Sequence, residues 1–266
     1  MVQPVRAAAA APAKPEMLSF ADVTLQLGGK TIVENINFKV RQGEFVCIIG
    51  ASGCGKTTAL RLAAGLYQPS GGYVTFEGKP MLAPRRDIAI IFQDYGKALL
   101  PWRTAAVNVS LALEAANVPN AKRAPRIAEL LTKVGLPDHA GKYPAEMSGG
   151  MQQRLQIARC LAQDPVALLM DEPFGALDAM TRQGLQDEVL SLVAASGATV
   201  LFVTHDLEEA IYLGDRVIGL LPHPGRIGIE VKVDLPRPRD QLTTREHPEF
   251  LRLRRELFDF IKASES

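Results

Sequence analysis

Residues 45–65 read FVCIIGASGCGKTTALRLAAG, and the fold turns on them. Phe45 to Ile49 is an apolar run of strand length. Gly50-Ala51-Ser52-Gly53-Cys54-Gly55-Lys56-Thr57 follows at once, and Thr58 to Ala64 continues with helical character. A G-x-x-x-x-G-K-[ST] segment between a strand and a helix is a phosphate-binding loop. Its glycines let backbone N–H groups turn inward around an anion. The helix N-terminus adds partial positive charge. Lys56 brings a full charge to the outer phosphates, and the Thr57 hydroxyl suits a Mg²⁺ ligand. Cys54 lies near this helix N-terminus and Lys56, two features that favour a thiolate. A filler residue without chemistry is the preferred reading of it, and a thiol whose modification blocks nucleotide binding is the alternative.

Two more apolar runs end in chemistry. Residues 166–170 (VALLM) lead into Asp171-Glu172-Pro173, and 198–203 (ATVLFV) lead into Thr204-His205-Asp206. Continuous apolar runs imply strands buried on both faces of a parallel sheet. Ligands of open α/β sheets bind at the carboxyl ends of such strands, where the loop, the acidic pair and His205 all fall. Adjacent acids on a strand point to opposite sides, so Asp171 and Glu172 have different tasks. Asp171 suits Mg²⁺, directly or through water. Glu172 suits polarising an attacking water, and His205 suits sensing a γ-phosphate or orienting that water. A helix N-cap with proline at N1 competes for Asp171-Glu172, but the neighbouring phosphate loop favours chemistry.

Residues 147–154, MSGGMQQR, open a helix with an apolar face of Met151, Leu155, Ala158 and Leu161. Ser148 is a natural N-cap, and Gly149 and Gly150 leave the backbone approachable. This is a second helix N-terminus suited to phosphate, although ordinary capping explains the same residues.

The remaining chain sets limits. The 266 residues carry 30 basic and 29 acidic side chains, a net charge of +1, with 47% hydrophobic content. That balance disfavours a mainly electrostatic nucleic-acid binder. No apolar run approaches the length of about 18 residues that spans a membrane. Cys47, Cys54 and Cys160 lack metal-ligand spacing and fit a reducing compartment. Residues 1–16 alternate Ala with Pro and suit a disordered tail better than a signal peptide. Residues 246–263 place Phe250, Leu253, Leu257, Phe258 and Ile261 at helical spacing. Such a stripe suits docking on its own domain, with a membrane surface as the alternative.

Taken together, the motifs resemble the ATP-binding cassette family, the nucleotide-binding subunits of ABC transporters. The resemblance covers about residues 17–240. Its pieces stand in the family's order: GASGCGKTT at 50–58, Gln93 in IIFQD, the signature MSGGMQQR at 147–154, ALLMDEP at 167–173, Ala176-Leu177-Asp178 as the D-loop, and His205 as the switch histidine. It implies a homodimer with composite sites, where Ser148, Gly149 and Gly150 of one copy close on ATP held by the loop of the other. It also implies that Gln93 serves Mg²⁺, water and the membrane partner, and that Asp178 communicates across the dimer.

Met147 and Met151 replace the family's usual Leu and Gln in the signature but leave Ser148-Gly149-Gly150 intact. The family's adenine-stacking aromatic, counted back about 23 residues from Gly50, falls on Leu27. An aliphatic there lacks the stacking term, about 0.5–1.5 kcal/mol, and Leu25 is the other candidate.

Residues 90–109, IIFQDYGKALLPWRTAAVNV, and the tail VDLPRPRD at 233–240 resemble importer ATPases of the nitrate/sulfonate/taurine group. There the stretch around Trp102 borders the groove for the permease. A buried anchor is the other reading of Trp102. The 61 residues after His205 are too few for the regulatory domain of sugar-type importers. One cassette without a coiled-coil insertion disfavours the alternative, a soluble ABC ATPase acting on nucleic acid or ribosomes.

The expected fold is α/β: a RecA-like P-loop NTPase core with a β-rich N-terminal part and an inserted helical subdomain at about residues 93–162. The domain spans 17–240, followed by a helical extension over 241–266. The expected reaction is ATP hydrolysis with Mg²⁺. It powers a separate membrane permease fed by a solute-binding protein, with the chain peripheral on the cytoplasmic face.

Overall fold

The computed structural model describes residues 14–92, 98–175 and 177–264. Most of the expected tail, residues 1–13, lies outside them, and Glu16 is already paired with Arg41 at the start of a strand.

Two sheets organise the chain. The first is antiparallel, in the order β2-β1-β4-β5, with β1 (Glu16–Leu27), β2 (Lys30–Arg41), β4 (Gly71–Phe76) and β5 (Lys79–Pro80). Gly28 and Gly29, both at positive φ (56° and 77°), make the two-residue turn from β1 to β2, as a right-twisted hairpin requires. The second sheet runs β10-β9-β3-β8-β7-β6. Its members are β3 (Phe45–Gly50), β6 (Ile88–Ile91), β7 (Ala167–Asp171), β8 (Thr199–Val203), β9 (Arg216–Leu221) and β10 (Arg226–Lys232). All neighbours in it are parallel except β10 on β9.

Every residue of β3, β7 and β8 is buried, as apolar runs covered on both faces predict. The period of two divides these strands between two cores. Phe45, Cys47, Ile49, Leu168, Met170, Val200 and Phe202 face one core. Val46, Ile48, Ala167, Leu169, Leu201 and Val203 face the other, shared with the antiparallel sheet and α1 (Lys56–Ala63).

Between β6 and β7 the chain forms α2 (Ala105–Ala115), α3 (Asn120–Lys133) and α4 (Gly149–Leu161), where the sequence predicts helical segments. Thr104 caps α2 and Ser148 caps α4, each accepting from the N–H three residues on. Then come α5 (Ala179–Ser196), α6 (Leu207–Leu213), α7 (Thr243–Glu246) and α8 (Pro248–Ser264). Helix α8 docks on its own chain. Phe250, Leu253 and Leu257 are buried, and the Phe260 ring lies where a Cβ on Gly219 or Gly228 would approach it to 2.5–2.6 Å. No helix among the described residues is long and apolar enough to cross a membrane.

Candidate active site

Strand β3 delivers the chain into the loop at Gly50, whose φ of 151° no side chain tolerates easily. A Cβ there would stand 2.6 Å from Cys54 Sγ and 2.7 Å from Leu220 O. At Gly55, with φ 96°, it would stand 2.5 Å from Val33 Cγ1. The loop is therefore pressed between β2 and β9, and these two positions admit only glycine. Lys56 is 7% exposed. Its Nζ donates to Gly50 O (2.8 Å) and Ala51 O (3.0 Å), so the ammonium is held at the centre of its own loop.

The end of β7 approaches from the side. Asp171 follows Ala167 and Leu169 on the alternation and faces α1, where Thr57 Oγ1 donates to its Oδ1 at 3.0 Å. Burial pushes the Asp171 carboxyl above its usual range, helped by Glu172 and opposed by the Thr57 bond. A desolvated carboxylate beside a hydroxyl is a hard oxygen pair short of positive charge. Thr57 and Asp171 therefore fit Mg²⁺, a cation that takes oxygen ligands.

Glu172 leaves the strand in a left-handed conformation, φ 45°. This refines the sequence reading, since the turn at Glu172 as well as the strand alternation separates the two acids. Its N–H donates to Val203 O at 2.9 Å, tying it to the end of β8. Its Oε2 lies 3.0 Å from His205 Nδ1. Ser52, Gly53, Gly55, Lys56, Thr57, Thr58, Glu172 and His205 line one open cleft of about 370 Å³, together with Ile32. Three separate segments predicted from sequence thus meet in one place, with an ammonium, N–H groups at a helix start, a carboxylate and an imidazole facing a common space. That arrangement can bind a polyphosphate and activate a water beside it.

Ile32 of β2 carries no local signal of a site in the sequence. It is one isoleucine in an alternating strand, and only the packing of β2 on the loop brings it to the rim. Leu27, the residue found by counting, sits at the end of β1, 41% exposed and outside the lining of this cleft. Cys54 follows its preferred reading. It is fully buried under the loop, and burial raises its thiol despite the opposing pull of Lys56; desolvation outweighs the helix terminus and the lysine, so the filler reading fits. Trp102 is 68% exposed and is no buried anchor. Gln93 and Ala176 lie outside the described residues.

The second phosphate-suited helix end does not join the cleft. Ser148 is exposed at the N-cap of α4, its Oγ accepting from Met151 N at 3.4 Å, and neither it nor Gly149 or Gly150 lines the cleft. Instead Gly150 packs on the start of α5. A Cβ on it would lie 3.0 Å from Thr181 Cγ2 and 3.4 Å from Leu177 Cδ2. Asp178 caps α5, accepting from Thr181 N (3.0 Å), and the Thr181 hydroxyl, followed by this N–H, holds its carboxyl below the usual range. The two methionines of the signature serve packing: Met147 is buried, and Met151 lies against the same core.

Comparison with known proteins settles the family. The family model for the ABC transporter domain matches residues 33–175. The chain belongs to the ABC transporter family. It is 46% identical over 230 residues to an uncharacterized ABC transporter ATP-binding protein of Methanocaldococcus jannaschii, covering 86% of this chain and 84% of that one. It is 41% identical over 237 residues to a nitrate import ATP-binding protein of Synechococcus elongatus, covering 88% and 86%. Among solved structures it matches a dimeric ATP-binding cassette in a post-hydrolysis state bound to ADP and Pi, with TM-score 0.72 and 33% identity over 82% of this chain and 99% of that one. This ABC chain is accordingly an α/β P-loop ATPase that binds ATP, the fold and activity expected from its motifs.

Proposed function

We propose that the chain is the ATP-hydrolysing subunit of an importer for a small anion or organic solute of the nitrate, sulfonate or taurine kind. It works on a separate membrane permease supplied by a solute-binding protein outside. The likeness to a nitrate import ATP-binding protein over 88% of the chain supports the solute class. The exposed Trp102 supports a permease contact beside α2, and work on a permease supports a peripheral position on the cytoplasmic face of the membrane.

The observation that carries the reading is the cleft shared by Lys56, Thr57, Glu172 and His205. In it the loop from Gly50 to Thr58 (Gly50, Ala51, Ser52, Gly53, Cys54, Gly55, Lys56, Thr57, Thr58) wraps the phosphates with backbone N–H groups, and Lys56 leaves its loop carbonyls for the outer phosphate oxygens. Glu172 accepts hydrogen from the attacking water. His205, held by Glu172, orients that water or the γ-phosphate. Thr57 and Asp171, with Gln93, are the residues that would hold Mg²⁺, which when bound neutralises charge on the phosphate oxygens. Ile32 supplies an apolar contact at the rim of the cleft, and Leu27 lies outside its lining.

Because Ser148, Gly149 and Gly150 stand away from the cleft in one chain, their helix end is available to a second copy. A head-to-tail pair supplies each ATP with a loop from one subunit and a signature from the other, and the exposed Asp178 lies beside that signature. The dimeric state of the matching cassette supports this arrangement. The deciding experiment measures phosphate release and oligomeric state with saturating ATP and Mg²⁺. Glu172→Gln abolishes release and traps a dimer that disperses when Ser148 is also changed to Arg. A Glu172→Gln protein that stays monomeric refutes the composite site, and one that still releases phosphate refutes the role of Glu172.

A further inference from the structure

His205 sits between two anchored neighbours, and the anchor is a carboxylate that the reaction does not use. Glu209 lies on α6, one turn beyond the switch histidine, and is 4% exposed. Its Oε2 accepts from Thr204 Oγ1 at 2.5 Å, and its Oε1 accepts from Gln186 Nε2 of α5 at 3.0 Å. The same Thr204 hydroxyl accepts from Asp206 N at 3.0 Å. Thr204 N donates to Ile48 O of β3, the strand that enters the phosphate loop. One hydroxyl therefore bridges both flanks of His205, and Glu209 fixes the direction in which that hydroxyl donates.

The chain of contacts continues outward. Gln186 Oε1 accepts from Arg245 Nη2 (3.4 Å), and Arg245 Nη1 donates to Glu208 Oε2 (2.8 Å). Arg254 Nη1 donates to Glu208 Oε1 at 3.0 Å. Arg239 and Arg237 donate to Ile211 O and Leu213 O, each at 3.2 Å, at the other end of α6. The C-terminal segment thus grips the helix after the switch residue at both ends.

A buried carboxyl is costly unless its hydrogen bonds do something an apolar side chain cannot. Here both oxygens are spent on aiming Thr204 and joining α6 to α5. We propose that Glu209 is a positioning residue for His205, acting through Thr204 and braced from the C-terminal helices through Gln186 and Arg245. The inference rests on the role proposed for His205 at the γ-phosphate.

The test uses the full chain. The imidazole resonances of its four histidines are recorded without nucleotide, with His205 assigned by its loss in His205→Ala, alongside kcat and KM for ATP. Glu209→Ala and Thr204→Val move the His205 ring signals and leave those of His139, His223 and His247 in place. They lower kcat about tenfold or more, as misplacement of a reacting group does, and hold KM within about twofold. Glu209→Gln and Thr204→Ser, which keep the acceptor and the hydroxyl, restore both readouts. Unmoved His205 signals in folded Thr204→Val protein overturn the proposal, even if Glu209→Ala does not fold. An equal loss of kcat when the same changes are made in the His205→Ala background overturns it too. Wild-type turnover by His205→Ala would refute the role of His205 itself, while the ring signals still decide whether Glu209 positions it.

Discussion

His205 Nδ1 lies 3.0 Å from Glu172 Oε2, at the meeting of the ends of β7 and β8. The bond joins the group suited to activate water with the group suited to sense phosphate, and the N–H of Glu172 fastens the pair a second time, to Val203 O. The two residues should therefore act as a unit. Removing either one should cost nearly as much as removing both. The expected result for His205→Ala, Glu172→Ala and the double variant is a loss of about 10²–10⁴ in kcat for each, with the double no worse than the more severe single. Steady-state phosphate release checks this, and multiplicative losses would show independent roles.

Glu209 gives the folded chain a characteristic pH response. Burial, the first cause, with Asp206 adding to it and Thr204, Gln186 and Arg182 opposing, pushes its carboxyl up to about 7. Cys47 on β3 also feels its charge. An unfolded glutamate titrates near 4.3. Between these values the folded chain holds a proton that the unfolded chain has released, so this residue's contribution is full below about pH 4 and is lost as pH rises through 7. The size is about 4 kcal/mol. Chemical denaturation from pH 4.5 to 8 should show the stability of wild type minus that of Glu209→Gln falling with pH; a difference that is flat or rises contradicts the assignment.

How far the sequence alone reaches is clear from particular residues. The phosphate loop, the strands ending at Asp171 and Val203, and the cap at Ser148 are legible because each is a local pattern whose physics needs no partner. Ile32, Glu209 and the true surroundings of Leu27 are not. They depend on which strand of a hairpin lies against the loop and on what packs behind α6, and alternation reveals a face but never its neighbour. Cys54 is a different case. Its neighbours in sequence argue for a thiolate, but the closure of Gly50 and Leu220 over it removes the water that a thiolate needs.

That burial makes Cys54 unreactive in the folded chain. Cys47 and Cys160 are buried as well, and burial pushes the Cys160 thiol up to about 12. A bulky maleimide at neutral pH should label native protein far more slowly than urea-unfolded protein, with or without ATP. Rapid labelling at Cys54 that ATP prevents would restore the reactive reading.

Gly219 should be intolerant of even one methyl group. A Cβ there meets Phe260 Cε1 at 2.5 Å and Ile229 Cγ2 at 2.6 Å, between β9, β10 and α8. Gly219→Ala should destabilise by about 1–3 kcal/mol, the usual cost of overpacking, and Phe260→Ala should recover part of it by making room. Thermal melts of the two variants and their combination check this. Additive losses would mean that the ring is not what confines Gly219.

Trp102 is the single tryptophan, and its 68% exposure makes it a clean reporter. A large indole left in water just ahead of α2, a helix that exposes Val107 and Leu111 one turn apart, is typical of a surface that a partner covers. In the isolated chain its emission should be that of hydrated indole and open to acrylamide quenching. On assembly with the permease subunits it should shift to the blue and lose that access. Trp102→Ala lies away from the ATP cleft, so basal hydrolysis by the isolated chain should persist while solute-stimulated hydrolysis in the assembled transporter falls. Emission that is already blue and shielded in the isolated chain, or unchanged on assembly, would remove Trp102 from the contact.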